Sequence, residues 1–469
     1  MKKKVVSALL CATMVATMFA GCGSKKSDNN ASTPDTSKAD TSSEVSEPAE
    51  DTGKVLNIYC WNEEFKSRIT AHYPDYKEVD ATHGKIGDVD VVWNITPNDD
   101  NAYQNNLDAT LLNQADAPAD DKIDLFLVEA DYALKYVDTD YTMPIKDLGI
   151  TDDDLSKQYQ YTKDIVTDSN GVLKGLSWQG CPGVLFYNRD AAKEVLGTDD
   201  PDKVQESVKD WDAYNDTAKK MKDAGYKMTA SANDTYRVYS NNVTSKWVDG
   251  NKINIDDNIM KWVDDSKAQV DAGETGTCDL WSDDWSKGFY PQGKVFCYFG
   301  PAWLVNFSMA ADTEGSIGYN GGWGAAQGPQ GFFWGGTWIC AAQGTDNANL
   351  VKDIMLKMTT DDDIMKDIVV DDDDFVNNST VMNGLADGSI KVKDDKEYTS
   401  KILGGQNPLP MYCAGVETLD LSNLSSYDQG CNEEFQNAMK NYFEGKASKE
   451  DALDLFYKAV TEKYPELTY

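Results

Sequence analysis

Short apolar runs alternate along the chain with longer amphipathic stretches. Five runs have the length and the aromatic or β-branched content of buried strands: 55–61, 123–128, 184–187, 295–299 and 338–342. Continuous apolar runs of this kind are typical of strands buried on both faces. The alternation of strands and helices predicts an α/β fold with mainly parallel sheets, whose ligands bind at the carboxyl ends of the strands.

Three stretches carry helical spacing and end signals. The first extends from Pro201 to Gly225, and its apolar positions are Val204, Val208, Trp211, Ala218 and Met221. The second contains Phe435 and stops at Gly445, and the third opens at Ser448 with a pattern that resembles a capping box. Proline near a helix start and glycine past its end are common boundary residues.

The first residues predict export and lipid attachment. Three lysines precede the apolar stretch 5–19, which is too short to span a bilayer and is typical of a secretory signal. Phe19-Ala20-Gly21-Cys22 resembles the lipobox of bacterial lipoproteins. We therefore expect a signal peptide over 1–21, lipidation at Cys22 and a disordered polar tether to residue 54. An ordinary signal peptide with a chance cysteine is the alternative.

Charge and size narrow the function classes. The 469 residues include 44 Lys+Arg against 79 Asp+Glu, with a net charge of −35, which excludes a nucleic-acid binder. Only two His and three Arg occur, which disfavours zinc sites, histidine catalysis and bidentate capture of anions. The length exceeds what one core usually serves, so two domains or more are expected.

Cysteines and acidic runs give no clear metal or disulfide pattern. The seven cysteines beyond Cys22 are widely spaced without a C-x-x-C pair, although one or two disulfides stay open. The runs 152–154, 361–363 and 371–374 lack the spacing of a calcium loop, so a solvated surface is favoured over calcium binding. No metal and no cofactor are predicted, since P-loop and dinucleotide fingerprints are also missing.

Aromatic density is the most informative signal. Twelve Trp and 24 Tyr occur, several beside glycines, as in 300–303, 321–324 and 332–338. Small neighbours let an indole face a flat ligand such as a sugar ring, whose hydroxyls suit carboxylate and amide groups. For any single Trp, core burial is an equal alternative. Trp211 and Trp262, on helical patterns, are assigned to the core.

The order and spacing of several segments over residues 55–469 resemble the extracellular solute-binding proteins of carbohydrate ABC transporters, family 1, which includes maltose-binding protein. The segments that carry this resemblance are 55–64, 124–132, 174–178, 183–190, 293–303, 335–338 and 427–429.

The resemblance implies an α/β, periplasmic-binding-protein-like fold with two α/β lobes around a ligand cleft and a multi-segment hinge. The N-terminal lobe would comprise 55–177 and 335–380, and the C-terminal lobe 178–334 and 381–469. The ligand would bind between the lobes and close them. The protein would be a monomer, anchored by lipid at the extracellular face of the bacterial cytoplasmic membrane, that docks onto ABC permease subunits.

Candidate ligand contacts lie at strand ends and at the expected crossings. They are Trp61, Asn62, Glu63, Glu64, Glu129, Asp131, Trp178, Gln179, Tyr236, Trp303, Trp334, Trp338, Tyr427 and Asp428. Trp303 is the foremost stacking candidate, since it matches the Trp of the family's "GPW" segment. The predicted ligand is a neutral oligosaccharide, because aromatic platforms are many and arginine is scarce.

A surface glycoside hydrolase is the alternative function. It would need two carboxyls at a suitable separation, one with a raised pKa, and Glu63, Glu64, Glu129 and Asp131 supply enough of them. Residues 175–179 lack the second glycine of a nucleophile elbow, and no H-E-x-x-H occurs. A binding protein without enzymatic activity is therefore preferred.

Overall fold

The computed structural model describes residues 50–469. The predicted signal peptide, the lipidation at Cys22 and the tether as far as residue 49 lie outside the described residues.

The first sheet has seven strands in the order β2-β3-β4-β1-β5-β13-β6. Its strands are β1 (Val55–Cys60), β2 (Tyr76–Glu78), β3 (His83–Ile86), β4 (Val89–Ile95), β5 (Leu125–Glu129), β6 (Leu176–Ser177) and β13 (Thr337–Ala341). β1 pairs in parallel with β4 and β5, whereas the other pairs of this sheet are antiparallel. The carboxyl ends of β1 and β5 therefore meet at one edge.

The second sheet surrounds the fully buried strand β7. Its members are β7 (Pro182–Asn188), β10 (Cys297–Gly300), β11 (Trp323–Ala326) and β12 (Phe332–Phe333), and a small hairpin joins β8 (Val248–Asp249) to β9 (Lys252–Ile253). All partners of β7 are antiparallel to it. The five predicted strands are confirmed, but the expectation of mainly parallel sheets is wrong. An apolar run reflects burial on both faces, and it does so whichever way its neighbours run.

Sixteen α-helices occur within residues 50–469. They are α1 (Glu64–His72), α2 (Ala102–Leu111), α3 (Ala133–Val137), α4 (Gln160–Asp164), α5 (Arg189–Leu196), α6 (Pro201–Glu206), α7 (Trp211–Asp223), α8 (Tyr236–Ser240), α9 (Asp257–Ala272), α10 (Asp283–Ser286), α11 (Ala348–Thr360), α12 (Asp362–Asp372), α13 (Ser379–Asp387), α14 (Leu409–Val416), α15 (Asp428–Phe443) and α16 (Lys449–Lys463).

The helix predicted from Pro201 to Gly225 is two helices, α6 and α7. The Asp210 side chain accepts a hydrogen bond from the backbone N–H of Ala213 and starts α7 anew. Trp211 is half-buried and stacks on Tyr239 at 4.3 Å, whereas Trp262 is fully buried as expected. The predicted capping box at the start of α16 is confirmed, with Ser448 and Asp451 as its partners.

The two lobes are joined by three crossing segments, as the resemblance implied. The first (178–181) links β6 to β7, the second (334–336) links β12 to β13, and the third (373–378) links α12 to α13. The Gly180 N–H donates to the Phe375 carbonyl, and the Asn377 N–H donates to the Trp178 carbonyl. The Trp334 N–H donates to the Cys181 carbonyl, so the three crossings lie side by side and form a hinge of three chains.

Within the described part of the chain, no helix is both long enough and apolar enough to cross a membrane. The same residues contain no group of three or more His, Cys, Asp or Glu side chains arranged to hold a metal ion.

Candidate functional site

A cavity of about 490 Å³ lies between the lobes at the crossings. This volume is within the range of small-molecule sites. The N-terminal lobe contributes Trp61, Asn62, Glu64, Asn98, Glu129, Asp131 and Tyr132, and the C-terminal lobe contributes Trp281, Trp303, Phe307, Ser308, Trp334, Gln429 and Glu433. The crossings add Gln179, Gly335, Gly336 and Thr337.

The end of β1 positions the first group of lining residues. The Asn62 side-chain oxygen accepts from the backbone N–H of Glu64 at 3.0 Å, where α1 begins. Trp61 packs edge-on against Tyr103 and Tyr132, with ring centroids 5.7 and 6.2 Å apart. These contacts fix the indole at the edge where the carboxyl ends of β1 and β5 meet.

Gln179 connects the cavity to the hinge. Its amide nitrogen donates to Glu64 Oε1 at 2.8 Å and to Asp374 Oδ2 at 3.0 Å, and its amide oxygen accepts from the Thr337 N–H at 3.1 Å. Burial raises the pKa of Glu64 to about 7; Arg68 opposes this shift and the charge of Asp374 adds to it. One side chain thus links a cavity carboxyl to the start of β13 and to the third crossing.

The end of β5 supplies two carboxyls with different roles. Glu129 Oε2 accepts from the backbone N–H of Asp131 at 2.8 Å. Burial raises the pKa of Glu129 to about 8, an effect that the charge of Asp131 strengthens and Arg237 partly offsets. Both oxygens of Asp131 pair with the Arg237 guanidinium of α8, and the Nη1–Oδ1 distance is 2.8 Å. Since Asp131 and Arg237 belong to different lobes, their ion pair spans the cleft.

Three tryptophans and a phenylalanine form the opposite wall. Trp281 stacks on Trp303 at 6.2 Å with an interplanar angle of 26°, and Trp334 packs against both rings. Trp281 is 54% exposed and has a φ of 69°, an unusual conformation for a bulky residue. Trp303 leads into a π-helical turn, Leu304–Ser308, that presents Phe307 with 54% exposure. π-Helical turns are rare and often occur at functional sites.

Gly335 allows the second crossing to approach Trp303 closely at the floor of the cavity. Its φ is +68°, and a Cβ atom there would lie 3.2 Å from Trp303 Cζ2 and 3.7 Å from Glu129 Oε1. A side chain would therefore press against the indole, in a backbone conformation that favours glycine.

Eight of the fourteen candidate residues from the sequence line this cavity. They are Trp61, Asn62, Glu64, Glu129, Asp131, Gln179, Trp303 and Trp334.

The other six candidates lie away from the cavity. Trp178 is fully buried and stacks on Phe65 at 5.2 Å, and Trp338 is fully buried, with its indole N–H donating to the Thr162 carbonyl. Trp178 is on the first crossing and Trp338 is on β13, and both side chains point into the packed interior. Tyr236 is buried and donates to Asn432.

Glu63, Tyr427 and Asp428 complete the set outside the cavity. Glu63 is exposed, and Tyr427 packs edge-on against Tyr464. Asp428 lines a separate cavity of about 60 Å³, and its carboxylate accepts from the Ser425 hydroxyl at 2.6 Å. The carboxylate of Asp428 is therefore occupied at the start of α15.

Most of the lining residues that were not predicted from the sequence belong to the C-terminal lobe. On α15, Gln429 and Glu433 are four positions apart and so lie on one helix face, which is turned toward the cleft. Gln429 is the sequence neighbour of the predicted ligand contact Asp428. Trp281 and Phe307 lie in segments without a predicted element, so the only available signal was their aromatic character.

The fold and cavity define a two-lobed protein that captures a ligand between its lobes. The model of the bacterial extracellular solute-binding protein family matches residues 80–399, and the chain belongs to this family. Its members are binding proteins that work outside the cytoplasm. No protein with a curated description matches the chain.

Solved structures with the same fold have low sequence identity to this chain. A family 1 extracellular solute-binding protein has 17% identity and a TM-score of 0.68, over 87% of this chain and 99% of that one. The ABC-transporter-associated binding protein of B. animalis subsp. lactis Bl-04, in complex with β-1,6-galactobiose, has 19% identity and a TM-score of 0.63, over 88% of this chain and 99% of that one. The galacto-N-biose/lacto-N-biose I-binding protein of Bifidobacterium longum, in complex with lacto-N-biose, has 13% identity and a TM-score of 0.63, over 90% of this chain and 98% of that one.

Proposed function

We propose that this chain is the substrate-binding component of an ABC importer that captures a neutral oligosaccharide in the interlobe cleft. The observation that carries the proposal is the pairing of an aromatic wall with a wall of hydrogen-bonding groups across one cavity. Sugar rings have apolar C–H faces and polar edges, so they need both kinds of contact. Two of the similar solved structures hold disaccharides, which agrees with this choice.

Lobe closure is the proposed capture step. Trp303 and Trp334 belong to one lobe, and Trp61 and Glu129 to the other. A ligand contacts both sets at once only in the closed state, so its binding shifts the population toward closure. The closed protein then delivers the sugar to the membrane permease without transforming it.

The proposed arrangement in the cell has three parts. Cys22 carries a lipid, the polar segment to residue 54 is a tether, and the body is a monomer with lobe segments 55–177, 178–334, 335–380 and 381–469. If so, Cys22→Ser releases the protein from membranes into the medium, as fractionation and immunoblotting would show. Continued membrane association of this variant would refute the anchor.

A thermal-shift screen of the purified protein against neutral oligosaccharides of several linkages and lengths tests the function. Hits are titrated by calorimetry, and each sugar is recovered and checked by chromatography. Tight binding of one series with the sugar intact is the expected result, and silence across the panel would refute the carbohydrate assignment.

The same screen distinguishes the glycoside hydrolase alternative. Glu64 and Glu129 both line the cavity with raised pKa values, as an acid catalyst requires. The partner carboxylate is less available, because Asp131 is held by Arg237 through both oxygens. Consumption of the sugar during the screen would favour the hydrolase.

A further inference from the structure

The space between the lobes contains a second, smaller cavity beside the one of about 490 Å³. It has a volume of about 60 Å³ and is lined by both lobes, with Leu134 and Ile165 from the N-terminal lobe and Val243 and Leu424 from the C-terminal lobe. Asp131 lines both cavities. The two cavities are therefore neighbours that meet just beyond the end of β5.

Helix α15 also borders both cavities, but with different faces. Gln429 and Glu433 line the larger cavity, whereas Asp428 and Asn432 line the smaller one. Residues four apart share a helix face, and successive residues are turned by about 100°, so the helix itself stands between the two cavities. The turn that contains Asp131 packs against this helix. Asp131 and the start of α15 thus form a partition between the cavities.

The ion pair of Asp131 with Arg237 completes the partition. The guanidinium holds both carboxylate oxygens, which is a strong and directional contact, and Arg237 lines the smaller cavity. The two side chains are only 21% and 19% exposed. A second contact between the lobes involves the same helix, where Gln429 Nε2 donates to Asn101 Oδ1 at 3.3 Å. The closed cleft therefore ends at a partition that contacts from both lobes hold in place.

The larger cavity has the size and the platform for a short saccharide. Its volume of about 490 Å³ is in the lower half of the range of small-molecule sites, which is about 300–1,000 Å³. The ring centroids of Trp281, Trp303 and Trp334 lie 5.3 to 6.2 Å apart, so the rings form one platform and not a series along a groove. The smaller cavity is below that range, so it provides no further sugar subsite while the partition stands.

The lining of the smaller cavity is nevertheless similar in kind to that of the larger one. Trp247 and Phe333 supply aromatic rings, and Ser245 and Asn432 supply a hydroxyl and an amide. Side chains of these kinds suit the faces and the edges of sugar rings. Removal of the two side chains of the ion pair would therefore join the larger cavity to a space that could take one more sugar unit.

We propose that the Asp131–Arg237 ion pair is the end stop of the cleft and selects short oligosaccharides of about two or three sugar units. The terminal sugar lies against the pair, and a further unit would need the space that Arg237 occupies. This inference rests on the proposed function and specifies the chain length of its neutral ligand. A longer chain either displaces the pair, at the cost of an unpaired charge, or leaves its extra units in solvent, so it gains no affinity.

The test is calorimetry with complete length series. Malto-, cello-, xylo-, manno- and galacto-oligosaccharides, from the disaccharide to the hexasaccharide, are titrated into the wild type and into Asp131→Ala/Arg237→Ala, which removes both partners and leaves no unpaired charge. In the wild type, the affinity for the series that binds should stop rising at the disaccharide or trisaccharide. In the double variant, the chain that is one unit longer should bind at least tenfold tighter than the chain that the wild type prefers.

Two controls and a spectroscopic readout separate the end stop from a structural role. Asp131→Asn/Arg237→Gln keeps most of the bulk of the partition without its charges, so it should weaken binding at every length and keep the length preference of the wild type. Asp216→Ala/Lys219→Ala, which removes an exposed ion pair within one lobe, should change neither. In protein labelled with 5-fluorotryptophan, the longer chain should shift the Trp247 resonance in the alanine double variant but not in the wild type.

The outcomes distinguish this inference from the proposed function. A wild-type affinity that continues to rise to the hexasaccharide would overturn the end stop and leave the oligosaccharide receptor intact, and this result does not depend on the folding of any variant. An unchanged length preference in the folded alanine double variant would overturn the end stop as well. If no saccharide of any length binds, the end stop and the proposed function are both overturned.

Discussion

The two walls of the cleft differ in chemistry. The N-terminal lobe presents the carboxyls of Glu64 and Glu129, which lie just after one strand and at the end of the parallel strand beside it. The C-terminal lobe presents the packed rings of Trp281, Trp303 and Trp334. The ends of strands at one edge of a sheet hold short polar groups in fixed positions. On the other wall, a π-helical turn exposes the ring of Phe307, and a backbone at positive φ exposes that of Trp281. Neither wall alone offers both kinds of contact that a sugar ring needs.

The first test of this comparison uses Trp178, a buried tryptophan that lies on neither wall and should affect stability. Trp178→Ala should lower the free energy of unfolding by about 3–5 kcal/mol, because it empties a fully buried site against Phe65. Chemical denaturation measures this loss. Trp178→Phe should cost much less, since it keeps most of the packing and removes an indole N–H without a partner in the described part of the chain. An unaltered stability in Trp178→Ala would contradict the core assignment.

Trp303→Ala should have the largest effect on binding. It removes the ring that borders both the cavity floor and the other two tryptophans, and a loss on the order of 100-fold, about 2.7 kcal/mol, is expected in calorimetric affinity. The matched control is Tyr319→Ala, which removes an exposed aromatic side chain outside the cavity. If both variants bind equally well, the aromatic wall is not the platform.

Arg237→Gln should weaken binding by roughly tenfold, about 1.4 kcal/mol, because it removes the ion pair that joins the two lobes. Small-angle scattering should show a larger radius of gyration for the liganded variant than for the liganded wild type. Lys219→Gln, which removes an exposed ion pair with Asp216 within one lobe, is the control. An effect of equal size in both variants would mean that the interlobe position of Arg237 is irrelevant.

A smaller effect is expected on pH dependence. Burial raises the pKa of Glu64 to about 7 and that of Glu129 to about 8. It also raises to about 7 the pKa of Asp234, a buried residue whose carboxylate accepts from the Trp285 indole N–H. The folded protein therefore holds more protons than the unfolded chain between about pH 4.5 and 8, and its stability falls as pH rises through that window. The thermal midpoint of the ligand-free protein should decrease from pH 5 to pH 8, with a shallower slope in Glu129→Gln. A midpoint that rises over this range would contradict the raised pKa values.

The sequence predicted the polar wall better than the aromatic one. Glu64 and Glu129 follow strands that are visible as apolar runs, and a strand end is where an α/β sheet places ligand contacts. The exposure of Trp281 depends on a single backbone torsion, and that of Phe307 depends on a π-helical turn. Neither feature produces a hydrophobic periodicity in the sequence. Their exposure could therefore not be predicted from pattern.

The direction of the strands and the orientation of the side chains on the crossings could not be predicted from the sequence either. The apolar run of β7 predicts burial correctly but contains no information about its antiparallel neighbours. Gln179 and Trp178 are adjacent on the first crossing, and one reaches the cavity while the other packs on Phe65. The sequence located this crossing, but which side chain faces inward follows from how three chains lie together.

The central claim is that the ligand lies between these two walls, and fluorine NMR of the protein labelled with 5-fluorotryptophan tests it most directly. The chain contains twelve tryptophans, each assignable from a single Trp→Phe variant. Addition of a saccharide identified in the screen should shift the resonances of Trp61, Trp281, Trp303 and Trp334 most, and leave the buried Trp93 and Trp262 nearly unchanged. The largest shift at Trp247, which borders the smaller cavity, would contradict the account.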